Sequence, residues 1–175
     1  GNGILAIGRD TLYDHNWHRG GYGKITIKQG LASSSEIAVY KAMEMAFNGY
    51  TQTYYDQLKK IGISNLDTPL QMLTAYNSIA NNRNNQANID SLKQALEYVV
   101  TDGLGQPAKS DKVQIAGETG TIQLEDGSYI VEFCGYFPAN APQYSAIISI
   151  HKKELPASGG LMAGDVFRQI VNHMI

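Results

Sequence analysis

The segment Ala116-Gly117-Glu118-Thr119-Gly120-Thr121 places a carboxylate and two hydroxyls around two glycines. Within a strand, glycine marks close approach of a ligand or another backbone, or a bulge with no ligand. The segment alone leaves both readings open. Asp10, Asp14, His15 and His18 have the residue types of a metal site. Their setting is loop-like, and a solvated polar loop is the stronger reading. Ser149-x-x-Lys152 has the spacing of a serine nucleophile with its lysine base. That chemistry needs both side chains on one helix face. Here the pair falls in an extended run, where positions three apart point to opposite faces. Cys134, between Phe133 and Gly135, has no histidine partner indicated and reads as a small buried hydrophobe. Tyr54, Tyr55 and Tyr76 read as packing residues. No cofactor is implied and no metal site stands out.

The elements that must carry these residues change period halfway along the chain. Residues 1–30 are glycine-rich and irregular, with a short strand expected at Lys24–Lys28. Ser33-Ser34-Ser35-Glu36 before an apolar-periodic run predicts a helix start, and Gly49 its end. A second helix follows at Thr51–Ile61, stopped by Gly62. Thr68-Pro69 opens a third, and Asp90–Val100 is a fourth, after a polar loop at Asn81–Asn88. Val113–Leu124, Tyr129–Phe137 and Tyr144–His151 then read as strands, with Asp126-Gly127 as a hairpin turn. Short links make them an antiparallel meander. Leu161–Ile175 closes as a helix with Val166, Ile170, Val171 and Met174 facing inward. The fold class is α+β, about three antiparallel strands packed against a helical region.

Composition sets the outer limits. The 175 residues suffice for one domain with a sizeable core. Fourteen basic against sixteen acidic residues give a net charge of −2, which excludes the basic face of a nucleic-acid clamp. One cysteine excludes an internal disulfide framework. No apolar run reaches the roughly 18 residues that span a bilayer, and no signal-peptide pattern is read.

Several segments, in order, resemble the C-terminal part of a penicillin-binding protein transpeptidase domain, of the monofunctional high-molecular-weight, Bacteroides-like class. Trp17, Gly20-Gly21-Tyr22-Gly23 and Lys24-Ile25-Thr26 resemble the stretch leading to the family's second motif. Leu31 to Ala38 is similar to that Ser-x-Asn motif, and Thr68 to Asn82 to its "TPLQ…N.IANN" helix. Leu96 to Gly105 resembles the "L..VV..GTG" segment, with Leu104 in place of threonine. Ala116 to Thr121 is similar to the Lys-Thr-Gly strand, Gly135 to Ala139 to the next strand, and Gly164 to Phe167 to the last helix.

The resemblance implies a truncated D,D-transpeptidase or β-lactamase-like fold as a single domain over 1–175, with a lead-in at 1–30, a helical region at 31–105 and the sheet with the last helix at 112–175. It implies a cleft formed by Ser34, Glu36, Glu118, Thr119, Gly120 and Thr121. Glu36 stands where the family has asparagine, and Glu118 where it has lysine. The Ser-x-x-Lys nucleophile is expected upstream of Ser34, and these residues do not supply it. Without a nucleophile or its own N–H for the oxyanion, acyl transfer lacks its parts. Glu118 would repel the substrate carboxylate that the family's lysine attracts. Two carboxylates in one cleft raise the pKa of one or invite a cation. The expected product is therefore a catalytically inactive transpeptidase-like domain. The alternatives are a C-terminal fragment of an active enzyme, an unrelated enzyme using Glu36 and Glu118 as an acid–base pair, and a plain structural domain with no ligand. The implied setting is outside the cytoplasmic membrane, with a peptidoglycan stem peptide or cell-wall and divisome proteins as partners. An exposed apolar surface and sheet edge would favour a homodimer or a separate covering chain.

Overall fold

The computed structural model describes residues 1–48, 52–60, 68–81 and 86–175. The expected stops at Gly49 and Gly62, and residues 82–85 of the polar loop, lie outside these.

The lead-in is more ordered than its glycines imply. Strands β1 (Ile4–Ile7) and β2 (Asp10–Tyr13) pair antiparallel from Ile4↔Tyr13 to Ile7↔Asp10. The strand expected at Lys24–Lys28 is absent. Helix α1 (Ile27–Ala32) begins there instead, because Thr26 and Gln29 close a capping box. Thr26 Oγ1 accepts from Gln29 N at 3.2 Å, and Thr26 N donates to Gln29 Oε1 at 2.9 Å.

Ser35 caps α2 (Glu36–Phe47), as the serine run predicts. Asn48, at φ +55°, ends it in the left-handed conformation. Helix α3 spans Gln52–Lys60. Thr68 and Gln71 form the capping pair at the start of α4 (Pro69–Asn81), with proline at its first position. Helix α5 runs Gln86–Asp102, one turn earlier than predicted.

Strands β3 (Ala116–Gln123), β4 (Tyr129–Phe137) and β5 (Tyr144–Lys152) form an antiparallel sheet in the order β3-β4-β5. Gly127, at φ +80°, makes the Asp126-Gly127 turn, and Ser128 N donates to Asp126 Oδ1 at 2.9 Å. One core joins Tyr76, Ile79 and Leu96 of the helices to Ala116, Cys134 and Tyr136 of the sheet. The opposite face carries a second core, Phe133 and Phe137 against Phe167 and Val171. These last two belong to α6 (Asp165–Met174), which follows a π-helical turn at Gly159–Gly164.

The inward face expected of the last helix is corrected. Val171 is buried, but Val166, Ile170 and Met174 are 37, 40 and 53% exposed. Phe167 takes the inward position, edge-on to Phe133 and Phe137 at 4.8 and 5.9 Å. Its larger apolar area sets the helix rotation. No helix among the described residues is long and apolar enough to cross a membrane.

Candidate functional site

The turn from α1 into α2 is built before any side chain enters it. Ser34 N donates to Leu31 O at 2.9 Å and Ser35 N to Gly30 O at 2.8 Å. Leu104 N donates to Ala32 O at 2.9 Å, fixing the turn to the segment after α5. Ser34 is held at φ +50°. A non-glycine residue there costs about 1–2 kcal/mol, and such residues cluster at functional sites. Beside it Ser35 is buried and its hydroxyl faces the buried Asp14 carboxylate, 2.9 Å from Oδ1 and 3.0 Å from Oδ2. Ser35 Oγ accepts from Ala38 N, and Asp14 Oδ1 from Ile37 N at 3.2 Å. A serine and an aspartate together thus satisfy two orphan N–H groups of α2 and complement its dipole.

This network corrects the solvated reading at Asp14. Asp14 is buried and committed to α2. Tyr22 OH lies 2.8 Å from His15 Nε2 and donates to Ser33 O at 3.0 Å. Arg19 Nε donates to His18 Nε2. Among the described residues no three potential metal ligands cluster.

Strand β3 pairs one-to-one with β4 from Ala116↔Tyr136 to Gln123↔Tyr129, so no bulge interrupts the two glycines. A Cβ on Gly117 would lie 2.5 Å from Cys134 O and 2.7 Å from Phe133 Cζ. Gly117 is therefore small because the neighbouring strand packs against it. Gly120 serves a different contact: a Cβ on Gly159 would lie 2.4 Å from Gly120 O. The segment Ser158 to Gly160 presses on β3, and Gly159 N donates to Thr121 Oγ1 at 3.2 Å.

Glu118 Oε1 accepts from Thr119 N at 2.8 Å and Thr119 Oγ1 at 3.3 Å. Oε2 is buried with no hydrogen-bond partner. Burial pushes the Glu118 carboxyl up to about 7, against the opposing pull of the Thr119 bonds. Desolvation, rather than the neighbouring carboxylate of Glu36, is the cause.

Ser34, Glu36, Glu118 and Thr119 line one cleft of about 380 Å³, with apolar walls from Leu12, Leu31 and Val39. An adjoining cleft of about 440 Å³ shares Ser34, Glu36 and Thr119 and adds Thr121, His15 and Ser158 to Gly160. The structure thus brings together five of the six expected residues, while Gly120 contributes backbone beneath Gly159. Sequence reasoning missed His15, weighed only as a metal ligand, and the Ser158-Gly159-Gly160 segment, whose paired glycines were the available signal. Ser149 and Lys152 lie in β5 opposite Glu132 and Tyr129 and form no site. Cys134 is buried, and burial pushes its thiol up to about 12, leaving it inert. Among the described residues no lysine or arginine lines either cleft. The arrangement can accept hydrogen bonds and hold positive charge; toward a carboxylate it offers hydroxyls and His15.

Comparison with known proteins places this cleft in context. The model of the penicillin binding protein transpeptidase domain matches residues 61–172. Stage V sporulation protein D of Bacillus subtilis is 32% identical over 87 residues, which are 46% of this chain and 14% of that protein. Among solved structures, a peptidoglycan glycosyltransferase from Burkholderia ambifaria superposes with a TM-score of 0.78 at 19% identity, covering 99% of this chain and 69% of that one. The transpeptidase domain of penicillin-binding protein 3 from Burkholderia pseudomallei gives 0.74 at 19%, over 99% and 70%. That of FtsI4 D,D-transpeptidase from Legionella pneumophila gives 0.70 at 21%, over 85% and 69%. At these identities the likeness to solved structures is one of fold.

Proposed function

Because the chain belongs to the penicillin-binding protein transpeptidase family, we propose that it is a transpeptidase-like module of peptidoglycan synthesis that does not itself perform acyl transfer. One observation carries this reading. Glu118 occupies β3 where the family resemblance expects lysine, and its carboxyl is buried in the cleft without a cation. Substrate carboxylate capture fails there by charge. The one Ser-x-x-Lys in the 175 residues lies in β5, far from the required helix geometry. Glu36 replaces the second-motif asparagine at the first turn of α2. The module would act outside the cytoplasmic membrane, on stem peptides or on cell-wall and division proteins.

A second reading draws on coverage. The chain spans 14% of the curated relative and about two thirds of the solved domains. It would then be the C-terminal part of an active D,D-transpeptidase whose nucleophile lies in further chain.

Labelled penicillin, read by intact mass, tests both. No adduct on this chain is the expected result. A stoichiometric adduct lost in Ser34→Ala would make the strained second-motif serine a nucleophile and overturn the non-catalytic reading. If appending an upstream segment bearing Ser-x-x-Lys restores acylation with Glu118 in place, the second reading replaces the first.

A further inference from the structure

We propose that the face formed by the β1–β2 hairpin, the Trp17 turn and a groove beside α2 docks on an anionic lipid surface. This face lies away from the cleft and does not depend on the non-catalytic reading. The groove takes Ile37, Ala38, Lys41, Ala42 and Met45 from α2, whereas the cleft takes Glu36, Val39 and Tyr40. The helix therefore stands between them, and Ser35 at its cap touches both.

The first observation is apolar area left in water. Ile4 stands opposite Tyr13 in the register, which puts both side chains on one face of the hairpin, with Ala6 and Thr11. All four are exposed, and the charged Asp10 falls on the other face. Trp17 leans on Tyr13 with ring centroids 5.5 Å apart, and the two are 47 and 49% exposed. Ile4 also lines the groove, a hollow of about 420 Å³, and so continues this surface to Ile25, Ile27 and Met45. Ile27 and Met45 are 63 and 84% exposed. A joined patch of this kind marks an interaction site, which singly scattered apolar residues do not.

The second observation is charge. Lys24 and Lys41 line the same groove, and Arg19 ends the Trp17 turn. Among the described residues the one ion pair is Arg168 with Asp165, so none of these three cations has a carboxylate partner there. Asp14, the one carboxylate lining the groove, is buried and accepts from Ser35 Oγ and Ile37 N. Glu44, exposed on α2, does not line it. The face is apolar and carries uncompensated positive charge.

The third observation is residue type. Tryptophan and tyrosine beside aliphatic side chains and lysines form the composition that settles where headgroups meet acyl chains. The rings rest at headgroup level, and Ile27 and Met45 reach the acyl chains. The lysine stems lie along apolar surface with their ammoniums on lipid phosphate. A protein partner would need a ridge shaped to the groove and carboxylates placed for three separated cations. A fluid anionic surface meets both demands without a fixed shape.

Trp17 is the chain's single tryptophan, so its emission reports this face alone. The test mixes the 175-residue chain, at low micromolar concentration, with vesicles of phosphatidylcholine alone or in equal parts with phosphatidylglycerol. The mixed vesicles should shift Trp17 emission to the blue, and bromine on their acyl chains should quench it. They should hold the chain about tenfold more tightly than phosphatidylcholine alone, and added salt should release it. Lys24→Glu together with Lys41→Glu should weaken binding by about tenfold or more. Met45→Glu should weaken it several-fold. Leu70→Glu, at an exposed position on α4 outside the face, should leave it unchanged. All four positions are exposed, so the variants keep the fold.

No blue shift with the mixed vesicles would overturn the proposal and leave the face to a protein partner. Equal binding to both vesicle types, or binding indifferent to the lysine pair or to Met45→Glu, would overturn it as well. A blue shift without vesicles that grows with chain concentration would mean that a second copy covers the face, and would also overturn it. Penicillin acylation reads the other side of α2, so lipid docking and the non-catalytic reading fail separately.

Discussion

Glu118 shows how one residue can be legible in identity and opaque in state. Its place in the Gly-Glu-Thr-Gly pattern marks it in the sequence, but the burial that raises its carboxyl from near 4.5 to about 7 depends on tertiary packing. Tyr76 and Cys134, the register partner of Glu118, lie against it, and burial raises both, so they stay neutral through this range; Glu36 is the carboxylate that shares its cleft. The sign follows from proton binding. Between the two values the folded chain holds a proton the unfolded chain has lost, so stability falls as pH rises from about 4.5 to about 7 and is level above. At 1.36 kcal/mol per pH unit the penalty reaches about 3 kcal/mol. Glu118→Gln should therefore raise the Tm at pH 8 and leave it nearly unchanged at pH 4.5. Equal shifts at both pH values would contradict a buried, charge-penalised carboxylate. Ser35 is the converse case: the sequence marks it as a cap, but its second bond, to Asp14 twenty-one residues earlier, is not legible. Ser35→Ala removes both, leaving a buried carboxylate short of a donor. It should destabilise by about 2–3 kcal/mol in urea unfolding, more than the ~1 kcal/mol of a simple cap. A loss near 1 kcal/mol would mean Asp14 is satisfied without it.

Elements were read best where one local signal dominates. Strand β4 matches its predicted bounds to the residue because Asp126-Gly127 fixes the turn and the register follows from it. The β1–β2 hairpin was missed because each strand has only four residues, too short for a period-two signal in the sequence. The strand expected at Lys24–Lys28 failed for a reason the sequence did contain, the Thr26-x-x-Gln29 capping pair. The rotation of α6 was misread because two apolar stripes lie side by side, and the choice between them is made by contact with Phe133 and Phe137, not by periodicity. The Ser158 to Gly160 segment is a contact between distant elements: its paired glycines signal a close approach, but not that the partner is β3. Its tightness gives an element-scale prediction. In Gly159→Ala the new methyl would sit 2.4 Å from Gly120 O and 2.5 Å from Glu132 O, both backbone atoms held in the sheet. The segment must lift and release Thr121 Oγ1. Hydrogen exchange at residues 158–162 should accelerate at least tenfold, with a stability loss of about 1–3 kcal/mol. Unchanged protection would show that the sheet yields instead.

At the scale of the whole molecule both faces of the sheet are covered, one by Tyr76, Ile79 and Leu96 of α4 and α5, the other by Phe167 and Val171 of α6 with Val100, Ala108 and Ala163. What α6 leaves uncovered is its own outer side. Its outer stripe of Val166, Ile170 and Met174 stays open, and Ala146, Ile148 and Ile150 of β5 are only partly covered. Strand β5 is also an edge, nine residues long, with no proline within it and its charges confined to its end. An unblunted edge next to an apolar helix face is the arrangement that draws in another strand. The solved domains that superpose on this chain contain about half as much chain again. For the 175 residues alone, self-association through β5 and α6 is the expected consequence. Sedimentation velocity should show a dimer growing in over tens of micromolar. Ile170→Glu, at a position 40% exposed, should return the monomer without lowering the Tm. A chain that sediments as a monomer throughout this range would mean that the stripe is tolerated in water. A dimer indifferent to Ile170→Glu would place the interface elsewhere, for which Leu70 and Met45, 72 and 84% exposed, are the next positions to charge.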